Sequence, residues 1–392
     1  VVSLILQNDI IKSGYMTHLR IKNVGPVVEV AFELKRFNFF IGRQSSGKST
    51  IAKIVSFCTW MEKEVQTHPD RQGDLSQYER MFKVQLENFH SMHGYMREDS
   101  EIVYESDYTT INYSHERCVI SLKAKQTYER VKVLYVPAER AVAIRDLLQL
   151  KDNNIRSFSV DFDSARSRYT YENRLNLGHL GIKYYQTVEE GEPRNKIVAD
   201  GKVYDIRLDD GSSGLQSIVP IAVAVDFYSK IFYQDSVEAK TLSVAQERDR
   251  RNVRNFLAED GMTRAAELRI DRLLVTHRTS FVIEEPELNL YPTTQRDLLN
   301  FIVACCNGKR KHTLTVTTHS PYIINQLNLL LKAGDKGEKI DGAAIGFDDL
   351  NVFAMQNGEI RDLKVQNEGV HLIDTARLSE DITDIYEQYG AI

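Results

Sequence analysis

A glycine-rich segment constrains the fold of this chain more than any other feature. It reads Gly42-Arg43-Gln44-Ser45-Ser46-Gly47-Lys48-Ser49-Thr50. A mostly apolar run, 37–41, precedes the segment, and an amphipathic stretch, 51–60, follows it. This order predicts a strand, a phosphate-binding loop and a helix, because backbone N–H groups and the positive end of the helix would then surround phosphate oxygens. The sequence therefore predicts an α/β fold that binds a nucleoside triphosphate.

Individual residues of this loop have separate physical roles. Gly42 and Gly47 allow backbone conformations that a Cβ atom would forbid. Lys48 is expected to reach the β- and γ-phosphates, and the Ser49 hydroxyl is expected to be a ligand of Mg²⁺. The predicted cofactors are therefore ATP and Mg²⁺; the alternative is a glycine-rich turn with a purely structural role.

Two adjacent carboxylates follow a second apolar strand. The run Thr279–Ile283 ends in Glu284-Glu285-Pro286-Glu287. Carboxylates at the end of a buried strand are costly unless a cation lies nearby. We therefore expect Glu284 on the Mg²⁺ side and Glu285 as the general base for the attacking water. The alternative is a solvated turn after the strand.

A third strand places a histidine at the same edge of the predicted sheet. Leu314 to Thr318 forms the apolar run, and His319-Ser320-Pro321 follows it. A lone histidine is usually structural. Because this one comes one strand and one helix after the carboxylates, we interpret His319 as a γ-phosphate sensor.

A serine- and glycine-rich turn lies between the phosphate loop and the carboxylates. It reads Asp210-Gly211-Ser212-Ser213-Gly214-Leu215-Gln216-Ser217 and opens a predicted helix over 218–227. Taken alone, such a turn is typical of any helix N-terminus. Its position between the other two motifs suggests a role in the same site.

The order of these motifs resembles that of the ABC-type ATPases of the SMC-like and OLD-like branch. The phrases at 135–140, 284–288 and 318–322 are similar to those of the bacterial AAA family ATPases of anti-phage defence operons, a group that includes the Septu, PARIS and retron-associated ATPases. The resemblance implies an ABC-ATPase-like P-loop fold with a central, mostly parallel sheet, an antiparallel β subdomain and a helical insertion.

The resemblance also implies roles for particular residues. The nine positions from Gly42 to Thr50 would bind ATP, with Ser49 and Glu284 on the metal. Glu285 and His319 would be the catalytic base and the switch histidine, with Lys48 on the phosphates. In the same way Ser212, Ser213 and Gly214 would contact the γ-phosphate held by the other subunit of a dimer. The signature here departs from Leu-Ser-Gly-Gly-Gln, so either Ser212 or Ser213 is the phosphate contact. Two candidates remain for the Q-loop function, Gln85 and the turn at 137–140.

The implied activity is ATP hydrolysis by a nucleotide-sandwich homodimer or higher even oligomer. Such an ATPase would act as a sensor or scaffold that controls a partner effector, a nuclease or toxin encoded in the same defence operon. The alternative is a DNA-repair ATPase similar to RecF or SMC proteins, which clamps nucleic acid. A basic groove would favour that alternative.

Composition is compatible with an intracellular enzyme. The chain has 392 residues, of which 42% are hydrophobic and 27% charged, and a net charge of −5. We expect no apolar run near the ~18 residues that span a membrane, and hence a cytoplasmic protein without a membrane part. The net charge gives no overall attraction to nucleic acid. The cysteines lack metal-ligand spacing and are expected to be buried thiols: Cys58, Cys118, Cys305 and Cys306.

The predicted organisation has three parts. Residues 1–15 would be an upstream extension or residues added for expression, 16–330 the ATPase domain, and 331–392 a tail with a hairpin and a final helix. The helical insertion is placed at about 233–278, either as a solvated helix or as an arm that binds a partner or nucleic acid. Alternation over 101–122 predicts a hairpin, whereas 141–185 has an irregular helical pattern.

Overall fold

The computed structural model of this protein describes residues 17–67, 74–123, 128–144, 153–201, 204–234, 275–367, 369–376 and 387–389. Three predicted features therefore lie outside the described residues. They are the extension at 1–15, positions 235–274 of the helical insertion, and the final helix apart from residues 387–389.

The helices and strands are numbered separately in chain order. The first part contains β1 (Thr17–Val24), β2 (Val27–Leu34), β3 (Phe37–Gly42), α1 (Lys48–Thr67), α2 (Ser76–His90), β4 (Met96–Glu105), β5 (Thr109–Ser114), β6 (Arg117–Leu122), β7 (Val131–Val136) and α3 (Asn153–Arg166). The second contains β8 (Leu175–Leu177), β9 (Ile182–Glu189), β10 (Glu192–Ala199), β11 (Asp205–Arg207), α4 (Ser213–Asp226), β12 (Arg278–Glu284), α5 (Pro292–Cys306), β13 (Thr313–Thr318) and α6 (Pro321–Asp335). The tail contains β14 (Leu350–Gln356), β15 (Glu359–Asp362), β16 (Lys364–Asn367) and β17 (Val370–Ile373).

A six-stranded sheet in the order β15-β14-β3-β13-β12-β7 forms the centre of the fold. Five of its strands run parallel, and β15 pairs antiparallel with β14. Parallel strands are covered on both faces, which is why they appear in the sequence as continuous apolar runs. The carboxyl ends of β3, β12 and β13 meet at one edge of the sheet, where the three motifs were predicted.

The central sheet separates two hydrophobic cores. Phe37, Phe39 and Ile41 of β3 belong to the core that contains residues of α4, α5 and α6. Phe40 belongs to the other core, with α1 and the antiparallel sheet β2-β1-β4-β5-β6. The fold is therefore of the predicted α/β class, with a mostly parallel central sheet and an antiparallel β subdomain. The four cysteines are buried and free, as expected.

A second antiparallel sheet, β11-β10-β9-β8, was missed in the sequence. The expectation of an irregular helical pattern over 141–185 holds for α3 but is wrong for β8 and the start of β9. Strands β8 and β11 have three residues each, so too few positions alternate to give a period-2 signal.

Helix α4 continues through a π-helical turn, Phe227–Ile231. The whole helical segment, Ser213–Gln234, is long and apolar enough by composition to cross a membrane, but 72% of its most apolar window is buried inside the protein. The expectation that no apolar stretch approaches this length is therefore wrong. A helix that is apolar on all sides is also typical of a core element, and α4 packs against α3 and α5.

The tail contributes directly to the central sheet. The predicted hairpin forms with its turn at Asn357 and Gly358, both in the left-handed region. Strand β14 pairs in parallel with β3, so that Met355 lies beside Gly42 at the start of the phosphate loop. At the turn, the Gly358 carbonyl accepts a hydrogen bond from the N–H of Val28 in β2 (2.9 Å).

Candidate active site

The phosphate loop joins β3 to α1, as the sequence predicts. Gly47 has a φ of +104°, which a residue with a Cβ rarely adopts. A Cβ on Gly42 would lie 2.5 Å from the Met355 carbonyl oxygen, so only glycine fits against β14. The side chains of Arg43, Gln44 and Ser45 are exposed, whereas Thr50 is buried in α1. The loop therefore requires glycine at Gly47 because of its backbone conformation and at Gly42 because of its contact with β14.

Lys48 is the first residue of α1 and is only 4% exposed. Its Nζ donates to the carbonyl oxygens of Gly42 and Arg43, both at 2.8 Å. Burial lowers the pKa of Lys48, and the charges of Glu285, Glu287 and Glu284 oppose that effect. The ammonium group therefore lies in the mouth of the loop, with three carboxylates near enough to favour its charged form.

The two predicted carboxylates lie at the end of β12. Glu284 is 5% exposed, and burial raises its pKa, against the charge of Lys53 and a hydrogen bond from the Ser49 side chain. Glu285 is less buried, and its N–H donates to the Thr317 carbonyl of β13 (2.8 Å). The backbone of Glu285 has a φ of +42°, an unfavourable conformation for a residue with a side chain.

His319 directly follows β13 and contacts both acidic residues of the motif that are not on the metal side. Its Nε2 lies 3.3 Å from Oε1 of Glu285. Its backbone N–H donates to Oε1 of Glu287 at 2.5 Å. Burial raises the pKa of Glu287. The sequence predicts no separate role for Glu287, whereas in the structure its side chain accepts the hydrogen bond from the His319 backbone.

Buried oxygen atoms without a protein partner identify what this edge of the sheet can hold. Within the described residues, such atoms near the motifs are Ser46 Oγ, Glu284 Oε1, Glu287 Oε2 and Thr317 Oγ1. Glu284 and Thr317 are register partners on neighbouring strands, and Thr317 is also paired with Phe40 of β3. Buried polar atoms normally have partners, so these oxygens fit a bound polar group. Carboxylate and hydroxyl oxygens are the ligands that Mg²⁺ prefers.

The signature turn begins α4, as predicted. Ser212 is the N-cap, and its Oγ accepts a hydrogen bond from the N–H of Leu215 (3.4 Å). Ser213 is the first helical residue, and a Cβ on Gly214 would lie 2.9 Å from the Asn289 carbonyl oxygen. The signature turn therefore lies against the loop that follows Glu287.

Arg140 contacts the segment that carries the two carboxylates. It was only part of a turn proposed as an alternative to Gln85 for the Q-loop. Its side chain is fully buried and donates to the backbone carbonyls of Glu284 (2.9 Å) and Glu285 (2.8 Å). Gln85 lies on α2, where its Oε1 is buried without a hydrogen-bond partner among the described residues. The contacts favour the turn that ends at Arg140 as the neighbour of the carboxylates.

One protein family and several solved structures match this chain. The family described as "AAA domain, putative AbiEii toxin, Type IV TA system" matches residues 37–325. No curated protein matches the sequence significantly. The SMC head domain from Thermotoga maritima is similar with a TM-score of 0.38 and 10% identity, over 90% of this chain and 99% of that chain. The ATP-binding cassette MJ0796, in a dimeric post-hydrolysis state bound to ADP and Pi, has a TM-score of 0.30 and 11% identity, over 89% of this chain and 99% of that chain.

Proposed function

The chain belongs to the family described as "AAA domain, putative AbiEii toxin, Type IV TA system", and from this premise we propose that it is an ATPase that works as a nucleotide-sandwich homodimer. In this proposal the dimer is cytoplasmic and controls a partner effector in anti-phage defence. The similarity of the sequence segments 135–140, 284–288 and 318–322 to those of defence ATPases supports the proposed role in anti-phage defence.

Each residue of the site has a distinct task in the proposed reaction. Lys48 leaves the loop carbonyls to bind the β- and γ-phosphates. Ser49 and Glu284 would hold Mg²⁺, which when bound neutralises charge on the phosphate oxygens. Glu285 accepts the proton of the attacking water, and His319 binds the γ-phosphate while its ring stays close to the Glu285 carboxylate. These side chains come from the ends of three neighbouring strands, so the sheet fixes their positions.

The packing of the signature turn is the observation that supports a dimer. Ser212 and Gly214 belong to a turn that lies against Asn289, and α4 packs mainly against α3, α5 and the 137–144 turn. The phosphate loop is instead packed against β14 and contains the N-terminus of α1. Because the signature turn and the phosphate loop have different packing partners within one chain, we infer that the site is completed by a second copy of the chain.

The test uses a protein that binds ATP but cannot hydrolyse it. The Glu285→Gln variant keeps the shape of the side chain and loses the base, so its ATP complex should accumulate as a dimer. The measurement is the molar mass in solution with and without Mg-ATP, by light scattering after size-exclusion chromatography. The same variant carrying Lys48→Ala is the control and should stay at the mass of the ATP-free protein. A monomer at saturating ATP would contradict the proposed function.

The charge pattern of the antiparallel sheet favours a protein effector over nucleic acid. Glu29, Glu33, Glu101 and Glu105 flank the outward residues of β1 on both sides. Arg20 at the centre of that face is already bonded to Glu29 at 2.8 Å. Nucleic-acid binding requires a patch of free basic side chains. The alternative of a DNA-clamping ATPase therefore finds no support on this face.

A further inference from the structure

Arg140 joins three segments that are distant in sequence. Its Nε donates to the Ser217 carbonyl in α4 (2.9 Å), and Nη1 and Nη2 donate to the carbonyls of Glu284 and Glu285 at the end of β12. Nη1 also lies 3.2 Å from the carbonyl of Pro137 in its own turn. The acceptors are all backbone atoms. The side chain therefore fixes the main chain of the catalytic segment relative to the signature helix.

The guanidinium is charged and rigid in this position. Burial lowers its pKa to about 10, against the charges of Glu287, Glu285 and Glu284, so it remains protonated at neutral pH. A planar guanidinium presents its N–H groups in a fixed fork. A buried charge that loses its partners is costly, so movement of one acceptor segment relative to another is opposed unless the segments move together.

The two ends of this connection serve different purposes. At one end, the bond from Nη2 holds the carbonyl of Glu285, whose φ of +42° is unfavourable without such support. At the other end, Ser217 is five residues beyond Ser212, or about 7.5 Å along a helix with a rise of 1.5 Å per residue. A displacement of the signature serine is therefore transmitted along a rigid element to Arg140.

Within the proposed dimer, Glu285 acts on the ATP of its own chain, whereas Ser212 contacts the ATP of the partner. We propose that Arg140 is a positioning residue that couples the two ATP sites, so that closure of the signature turn on one ATP orients the catalytic base at the other. This inference rests on the proposed function, because the coupling has meaning only if the sites are shared between chains. Arg140 itself does not touch the nucleotide in this account.

A second hydrogen bond also joins the loop after β12 to α4. Nδ2 of Asn289 donates to Oγ of Ser217 at 3.2 Å. Asn289 is exposed and has a φ of +60°, a conformation that glycine also adopts readily. The Asn289→Gly variant thus removes one bond between the catalytic loop and α4 without straining the backbone.

The test measures cooperativity rather than activity alone. The rate of ATP hydrolysis is followed against ATP concentration, and the Hill coefficient of the wild-type dimer should be clearly above 1, with an upper limit of about 2, the number of sites. Arg140→Lys keeps the positive charge but loses the planar set of guanidinium N–H donors. The Hill coefficient of this variant should fall to about 1. Arg36→Lys is the matched control, because Arg36 also donates to backbone carbonyls, those of Cys306 and His312, in a part-buried setting. It should leave the coefficient unchanged.

Asn289→Gly keeps the test decisive if Arg140→Lys does not fold. It should lower the Hill coefficient partway at an unchanged melting temperature. A wild-type coefficient of about 1, or wild-type cooperativity in both variants, would overturn the coupling role while leaving an ATP-dependent dimer intact. Failure of the Glu285→Gln protein to dimerise with ATP would instead refute the proposed function, so the two failures are distinguishable.

Discussion

The backbone N–H of His319 donates to the carboxylate of Glu287 at 2.5 Å, and the ring of the same histidine lies 3.3 Å from the carboxylate of Glu285. The two residues come from different strands of the central sheet, one directly after β13 and the other in the loop after β12. Glu287 therefore links the loop after β12 to the residue that follows β13.

Removal of this acceptor should slow hydrolysis without weakening ATP binding. Glu287→Ala leaves the His319 N–H without its acceptor, and a lost hydrogen bond of this kind costs about 1–3 kcal/mol. We expect kcat to fall by about tenfold or more while KM changes little. Glu287→Gln is the control, since its amide oxygen can still accept the bond. Equal loss of kcat in both variants would mean that the charge of Glu287, rather than its bond to His319, is what matters.

Lys48→Ala should abolish tight binding of ATP. The change removes the ammonium group at the mouth of the phosphate loop, and charge-assisted bonds to phosphate are among the stronger ones. The dissociation constant of a fluorescent ATP analogue should rise at least about a hundredfold, or ~2.7 kcal/mol. Lys53→Ala, five residues further along α1, is the comparison and should bind more tightly than Lys48→Ala. An unchanged dissociation constant for Lys48→Ala would refute the phosphate-loop assignment.

Glu62 gives the protein a pH-dependent stability that is separate from the active site. It lies on α1 and accepts hydrogen bonds from the hydroxyls of Tyr104 (3.0 Å) and Ser106. Burial raises its pKa from 4.5 to about 7, against those two bonds and the charge of Arg278. Between pH 4.5 and about 7, the Glu62 carboxyl is therefore protonated in the folded state but mostly ionised in the unfolded chain. The contribution of Glu62 to stability is fully present below pH 4.5 and is lost as the pH rises to about 7.

The Glu62→Gln variant should remove this dependence. An uncharged amide fills the same space, so the free energy of unfolding at pH 8 should increase by up to about 3 kcal/mol relative to wild type, with little change at pH 4.5. Urea unfolding at the two pH values is the measurement. Glu64→Gln, on the same helix, is the control. An equal effect of Glu62→Gln at both pH values would show that packing, rather than ionisation, is responsible.

The parts of the fold that were predictable are those in which local sequence determines local structure. The loop at Gly42–Ser49, the apolar strands before Glu284 and His319, and the turn at Asn357 and Gly358 all carry short-range signals. The central parallel sheet follows from these strands, because parallel strands buried on both faces have continuous apolar runs.

The remaining features depend on contacts between distant residues. Arg140 lies 144 and 145 positions from Glu284 and Glu285, and its acceptors are backbone atoms that leave no trace in the residue types. Strand β14 lies more than 300 positions after β3, so its place beside the phosphate loop is set by tertiary packing. Strands β8 and β11 of the sheet β11-β10-β9-β8 were missed because three residues are too few to show a period.

The central claim is that each ATP site is built from two chains, and mixtures of inactive variants test it most directly. Ser212→Arg and Lys48→Ala proteins are mixed, so that a mixed dimer has one site with both lesions and one with neither. Activity should return to at most about a quarter of wild type, because half of randomly mixed dimers have one intact site of two and coupling through Arg140 lowers the rate at that site. Lys48→Ala mixed with Glu285→Gln is the control and should stay inactive, since both lesions lie on the phosphate-loop side. Absence of recovery in a mixture shown to contain mixed dimers would contradict the shared site.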